Sequence, residues 1–173
     1  MPGERGRPSC ALRVALSLIE VVASTMIVGL MAVAALNSLG AATRSSESIG
    51  NRAVAAGLAD ELMSEILQAP YGDPNQTPVF GRESGEPSSP RAAFDDVDDF
   101  DGWNASPPQY SDGTAMPDRA DWRHRVRVYR VRPDDPTQTS STDLGAKGIE
   151  VTIEYRGQVL AEQYAVRTDT DEQ

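Results

Sequence analysis

"ALRVALSLIEVVAS" occupies residues 11–24, and its reading decides the fold. Glu20 is the only ionisable residue between Arg13 and Arg44. Residues 21–43 carry no charge and are rich in Val, Ile, Leu, Met and Ala. As a helix rising ~1.5 Å per residue they reach about 35 Å, enough to cross a hydrocarbon core of about 30 Å. The run is longer than the ~7–15-residue apolar core of a cleaved secretory signal, and no clear small-x-small boundary follows it. One membrane-spanning helix is expected, with a helix buried in a soluble core as the rival reading. Glu20 is then the anomaly, because a carboxylate in such a segment costs about 2–4 kcal/mol to insert.

Orientation follows from the flanking charges. Arg5, Arg7 and Arg13 precede the span and are opposed only by Glu4. Basic flanks stay in the cytoplasm, so the N-terminus is expected inside and everything after Arg44 outside. The leader also holds Pro2, Gly3, Gly6 and Pro8, which disfavour regular structure. The whole chain has a formal net charge of −10. Residues 1–15 hold three arginines and one glutamate, or +2, so the remainder carries −12. Such a surface repels nucleic acid and anionic lipid heads. The one cysteine, Cys10, lies in the leader, so the outer part has neither disulfide nor thiol chemistry.

A basic leader, a small residue, then "LSLIEVV" running into an apolar helix resembles the prepilin N-terminus shared by type IV pilins and type II secretion pseudopilins. The resemblance rests on about 25–30 residues. It implies cleavage by a prepilin peptidase on the cytoplasmic side, between Ala15 and Leu16, which makes Glu20 the fifth residue of the mature chain. Leu16, Ser17, Leu18, Ile19 and Glu20 match the family's hydrophobic–polar–Leu–Ile–Glu pattern. Ala15 departs from the usual glycine, which puts the efficiency of cleavage in doubt. The resemblance further implies a methylated N-terminus, a bundle of apolar helices, and Glu20 facing the N-terminal amine of a neighbouring subunit. Opposite charges attract strongly at low dielectric, whereas either alone is penalised. The other reading is a tolerated glutamate that snorkels to the headgroups. The implied partners are prepilin peptidase, sister pilin or pseudopilin subunits, an inner-membrane assembly platform and the lipid bilayer. The implied location is the cytoplasmic membrane, single-pass, with the head in a periplasmic or surface filament.

Past the span, Val54, Leu58, Leu62 and Ile66 recur at i+4 steps, with Met63 and Leu67 widening the stripe. Asp60, Glu61, Ser64 and Gln68 lie mostly off it, which marks an amphipathic helix. Pro70, Gly72 and Pro74 end it. Gly40, Gly50 and Gly57 each cost about 1 kcal/mol relative to Ala, so bends or melted turns are expected near them. Residues 70–121 are irregular and proline-rich, but Tyr71, Phe80, Phe94, Phe100, Trp103 and Tyr110 recur there and are expected to pack.

Within this region "FDDVDDFDGW" sets Asp95, Asp96, Asp98, Asp99 and Asp101 close together. Carboxylates so dense suit a hard cation such as calcium. The EF-hand template fails, because placing Gly102 as its glycine puts Val97 and Pro108 at ligand positions. No metal-ligand spacing is found, and a solvated acidic loop pinned by Phe94, Phe100 and Trp103 is the preferred reading.

Strands follow. In "WRHRVRVYRV" Trp122, His124, Val126 and Val128 alternate with Arg123, Arg125 and Arg127. In "IEVTIEY" Ile149, Val151, Ile153 and Tyr155 alternate with Glu150, Thr152 and Glu154. Arg156-Gly157 makes a two-residue turn into "QVLAEQYAV", pairing Ile153 with Leu160 and Ile149 with Tyr164. If the first strand joins this ladder, Arg125 and Arg127 meet Glu150 and Glu154. Cross-strand ion pairs suit the arginine row better than a nucleic-acid strip. His124, the only histidine, sits on the apolar face, where a packed histidine is favoured over a general base. No catalytic residues and no cofactor are expected.

The sequence therefore predicts an α+β chain: leader 1–15, membrane and assembly helix 16–43, amphipathic helix 44–69, irregular region 70–121 and antiparallel sheet 122–173. The helix's C-terminal half is expected to pack on the small sheet, as in pilins. The expected function is a structural subunit, a minor pilin or minor pseudopilin, of a type IV pilus or type II secretion pseudopilus. The alternative is a signal-anchored exported binding module whose acidic loop takes a cation or ligand.

Overall fold

The computed structural model describes residues 17–73, 79–82 and 86–169. Ala15, Leu16 and the rest of the leader lie outside the described residues. The chain divides into two compact units, Met1–Ser46 and Glu47–Gln173.

One helix, α1 (Leu18–Gln68), contributes to both units. Its first part is apolar on every side. Leu18, Ile19, Met26, Ile27, Leu30, Met31, Leu36 and Leu39 are all exposed. Among the described residues α1 is the one helix long and apolar enough to cross a membrane. Two threonine hydroxyls in this stretch bond back into the helix. Thr25 Oγ1 donates to the Val22 carbonyl (2.9 Å) and Thr43 Oγ1 to that of Leu39 (3.0 Å). In hydrocarbon no water would satisfy them. No turn is melted at Gly40, Gly50 or Gly57, all of which are helical. Each glycine penalty is local, and the flanking helix formers outweigh it.

The second unit is an α+β head with a four-stranded antiparallel sheet in the order β1-β2-β3-β4. The strands are β1 (Asn104–Ala105), β2 (Trp122–Arg130), β3 (Ala146–Tyr155) and β4 (Gln158–Thr168). On α1, the buried positions are Ala55, Leu58, Ala59, Leu62, Met63 and Ile66. They share one core with Trp122, Val126, Val128, Ile149, Val151 and Ile153 of the sheet. The expected stripe is therefore the packed face, completed by two alanines that bring the helix close. Leu67 is the exception. It is exposed at the rim, because the helical step sets it about 40° past Met63, the last buried position on that side.

Strand β2 buries Trp122, His124, Val126 and Val128 and exposes Arg123, Arg125 and Arg127, as period-2 alternation requires. Arg156 (φ 50°) and Gly157 (φ 77°) make the hairpin turn, with positive φ at both positions matching the strand twist. The register beyond the turn differs from the expectation. Glu154 pairs with Val159, but Ile153 pairs with Ala161 and Ile149 with Ala165, so Leu160 is the extra residue of a β-bulge. One inserted residue exchanges faces for all that follows. Tyr164 consequently points outward, where it stacks near Tyr129 and donates to the Pro136 carbonyl (3.0 Å), and the smaller Ala165 lies over Ile149.

Residues 70–121 are ordered where described, and they supply part of the core. Val97, Phe100, Trp103, Ala105 and Met116 are buried, whereas Tyr110 is exposed. β1 adds a short edge to β2. Beside it, Trp103 O accepts Val126 N–H (2.9 Å) and Asp101 Oδ1 accepts Val128 N–H (2.9 Å). A side chain thus continues the ladder that the two-residue strand leaves short.

Candidate functional site

Two places concentrate unusual chemistry, the start of α1 and the acidic turn of the head. At the start of α1, Ser17 stands at the N-cap. Its Oγ accepts the Glu20 N–H at 3.3 Å, and its carbonyl accepts the N–H groups of Glu20 (3.0 Å) and Val21 (3.2 Å). Ser17 and Glu20 thus stand at the spacing of a capping box, Ser-x-x-Glu. A carboxylate in the first turn also meets the positive end of the helix dipole. The Ser17 cap is legible in "SLIE" as a Ser-x-x-Glu spacing, independent of any cost of insertion. The processing positions Ala15 and Leu16 lie outside the described residues.

The acidic turn is not a solvated loop. Asp96, Asp98 and Asp99 are all buried. A single 3-10 turn, Asp98–Phe100, holds Asp98 and Asp99 inward while Phe100 enters the core. Asp96 Oδ1 accepts the N–H groups of Asp98 (2.8 Å) and Asp99 (3.2 Å). Asp98 pairs with Lys147 of β3, and the same Lys147 ammonium donates to the Tyr71 carbonyl and lies 4.2 Å from the Tyr71 ring centre. Two buried opposite charges compensate each other where either alone would be costly. Burial, and then the charge of Asp98, pushes the Asp96 carboxyl up to about 7. Burial also lifts Asp99 to about 6, with Glu86 and Asp95 adding to the effect. The Phe94–Phe100 edge contact (4.9 Å) pins the turn as expected. Nearby, carboxylate oxygens of Asp73, Glu86 and Asp95 lie within 4.8 Å of one another.

A second, half-buried ion pair fixes the irregular region to α1. Arg91 meets Glu65 through two hydrogen bonds (3.1 and 2.8 Å), donates to the Gln109 carbonyl (3.0 Å) and lies 4.3 Å from the Trp103 ring centre. His124 is packed against Trp103, with 1 % of its surface exposed and no hydrogen-bond partner on either ring nitrogen. Burial, followed by the charge of Arg91, pushes its pKa down to about 4. An imidazole so enclosed has no open side for a substrate.

On the outer face the arginine row meets acids as expected. Arg125 pairs with Glu154 (2.9 Å), Arg123 with Glu154 (3.7 Å) and Arg127 with Glu150 (3.7 Å). Pairing spends the positive charge that a phosphate backbone would need. No family model matches the chain, and neither a curated protein nor a solved structure shows significant similarity to it.

Proposed function

We propose that this chain is a structural subunit of a pilus-like filament, a minor pilin or minor pseudopilin, anchored in the cytoplasmic membrane by the first part of α1. The observation that carries the reading is the isolated Glu20. It is the sole charge in the exposed apolar stretch, one turn from the point where prepilin cleavage between Ala15 and Leu16 would create a new amine. The cap on Ser17 fixes where the helix starts and so where that carboxylate stands. The α+β head on a long N-terminal helix supports the reading, and the irregular 70–121 region suits a specialised position better than a dense lattice. In this reading the N-terminus is cytoplasmic, the head is outside, and the partners are prepilin peptidase, the assembly platform, the bilayer and sister subunits. The acidic outer surface and the paired arginines speak against nucleic acid.

Mass spectrometry of the membrane-purified chain from a peptidase-proficient host tests processing. A methylated Leu16 start is expected. An intact Met1 start would sink the reading and favour a signal-anchored binding module, the alternative that the acidic turn supports. Crosslinking to sister subunits tests assembly. Glu20→Ala should still reach the membrane but lose docking, Glu20→Gln should be nearly as poor, and Glu20→Asp intermediate, because charge pairing is what docking needs. Ser17→Ala, which removes the cap and keeps the charge, should still dock. Equal docking by wild type and Glu20→Ala would show that the glutamate is merely tolerated.

A further inference from the structure

Of the sixteen Lys and Arg side chains, fifteen are arginine and one, Lys147, is lysine. Arg91, Arg123, Arg125, Arg127, Arg132 and Arg156 supply the cations of ion pairs elsewhere in the head. Lys147 is 2 % exposed and faces Asp98, which is 4 % exposed. The choice of cation matters chemically. A guanidinium keeps its proton, whereas an ammonium that loses one becomes a nucleophilic amine. Asp98 Oδ1 meets Lys147 Nζ, and Asp98 Oδ2 accepts the Gly81 N–H at 3.3 Å. Lys147 Nζ also donates to the Tyr71 carbonyl, which orients the nitrogen. Asp96 hydrogen-bonds the Asp98 carboxyl, and its own carboxyl, pushed up to about 7 by burial and then by the charge of Asp98, carries a proton near neutral pH. An amine, an acyl carbon, a donor on the acyl oxygen and a proton source thus meet in one buried place.

We propose that Lys147 and Asp98 condense to a side-chain amide, an isopeptide bond that ties β3 to the turn Asp98–Phe100. Within the buried pair the ammonium passes a proton to Asp98 Oδ1, giving the uncharged amine and acid that burial favours. The Nζ lone pair attacks Asp98 Cγ and a C–N bond forms, while Oδ2 takes up negative charge opposite the Gly81 N–H. Asp96 gives its proton to the Oδ1 hydroxyl, the C–Oδ1 bond breaks, and water leaves. The new amide nitrogen then returns a proton to Asp96. The sum is ammonium plus carboxylate going to amide plus water, with nothing oxidised or reduced. The product keeps partners already in place, Tyr71 carbonyl for its N–H and Gly81 N–H for its oxygen. A neutral amide so satisfied costs less to bury than two ions. The chain beyond the leader has no cysteine, so this bond supplies a cross-link that a disulfide cannot. The inference does not depend on assembly into a filament.

The test takes the full chain, folded in detergent, then denatures it and digests it with a lysine-specific protease. Lys147 is the one cleavable position, and an acylated lysine is not cut. The wild type should stay whole and weigh one water less than its sequence requires. Trypsin should release residues 92–119 joined to residues 131–156, with no cut after Lys147. Asp98→Ala should show the full mass and release residues 148–173, and Lys147→Arg should show the full mass. Asp96→Asn should form the bond about 100-fold more slowly, the share of a positioned acid, read as the uncut fraction against time after refolding. The wild-type digest is decisive without any variant having to fold. Complete cleavage of the wild type after Lys147 would overturn the proposal. So would a lost water that maps to a succinimide at Asp101-Gly102 or Asp112-Gly113. Bond formation at the wild-type rate in Asp96→Asn would overturn the part given to Asp96. Peptide mapping reads the bond whatever N-terminus the chain carries, so its failure leaves the filament reading untouched.

Discussion

The first half of α1 and its last turns belong to one continuous helix and obey different rules. In residues 18–43 the apolar side chains point in every direction and all remain exposed. In residues 54–66 they keep to one stripe, and that stripe is the core of the head. A helix apolar all round needs an apolar solvent, whereas a striped helix needs a partner face. The same leucine therefore has two meanings. Leu30 is 67 % exposed and Leu62 is 1 % exposed, although both lie in one helix. Hydrophobicity alone does not say what a residue packs against; its periodicity does.

The sharpest way to break this comparison is to substitute each leucine in turn. Leu62→Asp should abolish cooperative melting of the head, since it buries an unpaired carboxylate. Leu62→Ala should cost about 2–5 kcal/mol. Leu30→Ala should leave head melting within about 0.5 kcal/mol of wild type. Fluorescence of Trp103 and Trp122 reads the head alone, because both tryptophans are buried there and the span has none. An unchanged melting curve for Leu62→Asp would mean that the stripe has been assigned to the wrong face.

The next contrast lies within the head, between buried and exposed ion pairs. Lys147→Met strands Asp98 and should destabilise by about 3–5 kcal/mol, read as a lower urea midpoint. A loss below 1 kcal/mol would show that Asp98 finds another partner.

His124 adds a pH-dependent effect of intermediate size. Its folded pKa, about 4, lies below the ordinary 6.5. The unfolded chain therefore takes up a proton below 6.5 that the folded chain refuses until about 4. Stability is lost as pH falls through that window, by up to about 1.4 kcal/mol per unit. Asp96 works oppositely. Its raised pKa gives stability below the ordinary carboxylate range that is lost as pH rises through about 7. His124→Leu removes the first slope and exposes the second, so its advantage over wild type should be about 2 kcal/mol greater at pH 5 than at pH 7. A pH-independent difference would show that the imidazole is protonated in place.

The smallest effect is expected at the surface ladder. Arg125→Ala should cost about 0.2–1 kcal/mol and less in high salt, because its partner pair is half open to water. A larger loss would mean that the arginine's methylenes cover the sheet.

Much of this was legible in the chain itself, because it depends on period. The phase of Leu58, Leu62 and Ile66, the faces of β2, and the meeting of Arg125 and Arg127 with Glu154 and Glu150 all follow from spacings of 3.6 or 2 residues. The "SLIE" cap was equally local. Tertiary structure alone decided the rest. It buried Asp96, Asp98 and Asp99 by placing Lys147 of a strand some fifty residues away against the turn. It brought Arg91 to Glu65 and gathered carboxylate oxygens of Asp73, Glu86 and Asp95 within 4.8 Å of one another. It also put one extra residue at Leu160, which turned Tyr164 to the outside. Composition marks a carboxylate as costly to bury, but the charge that offsets the cost comes from a distant segment, and only folding brings the two together.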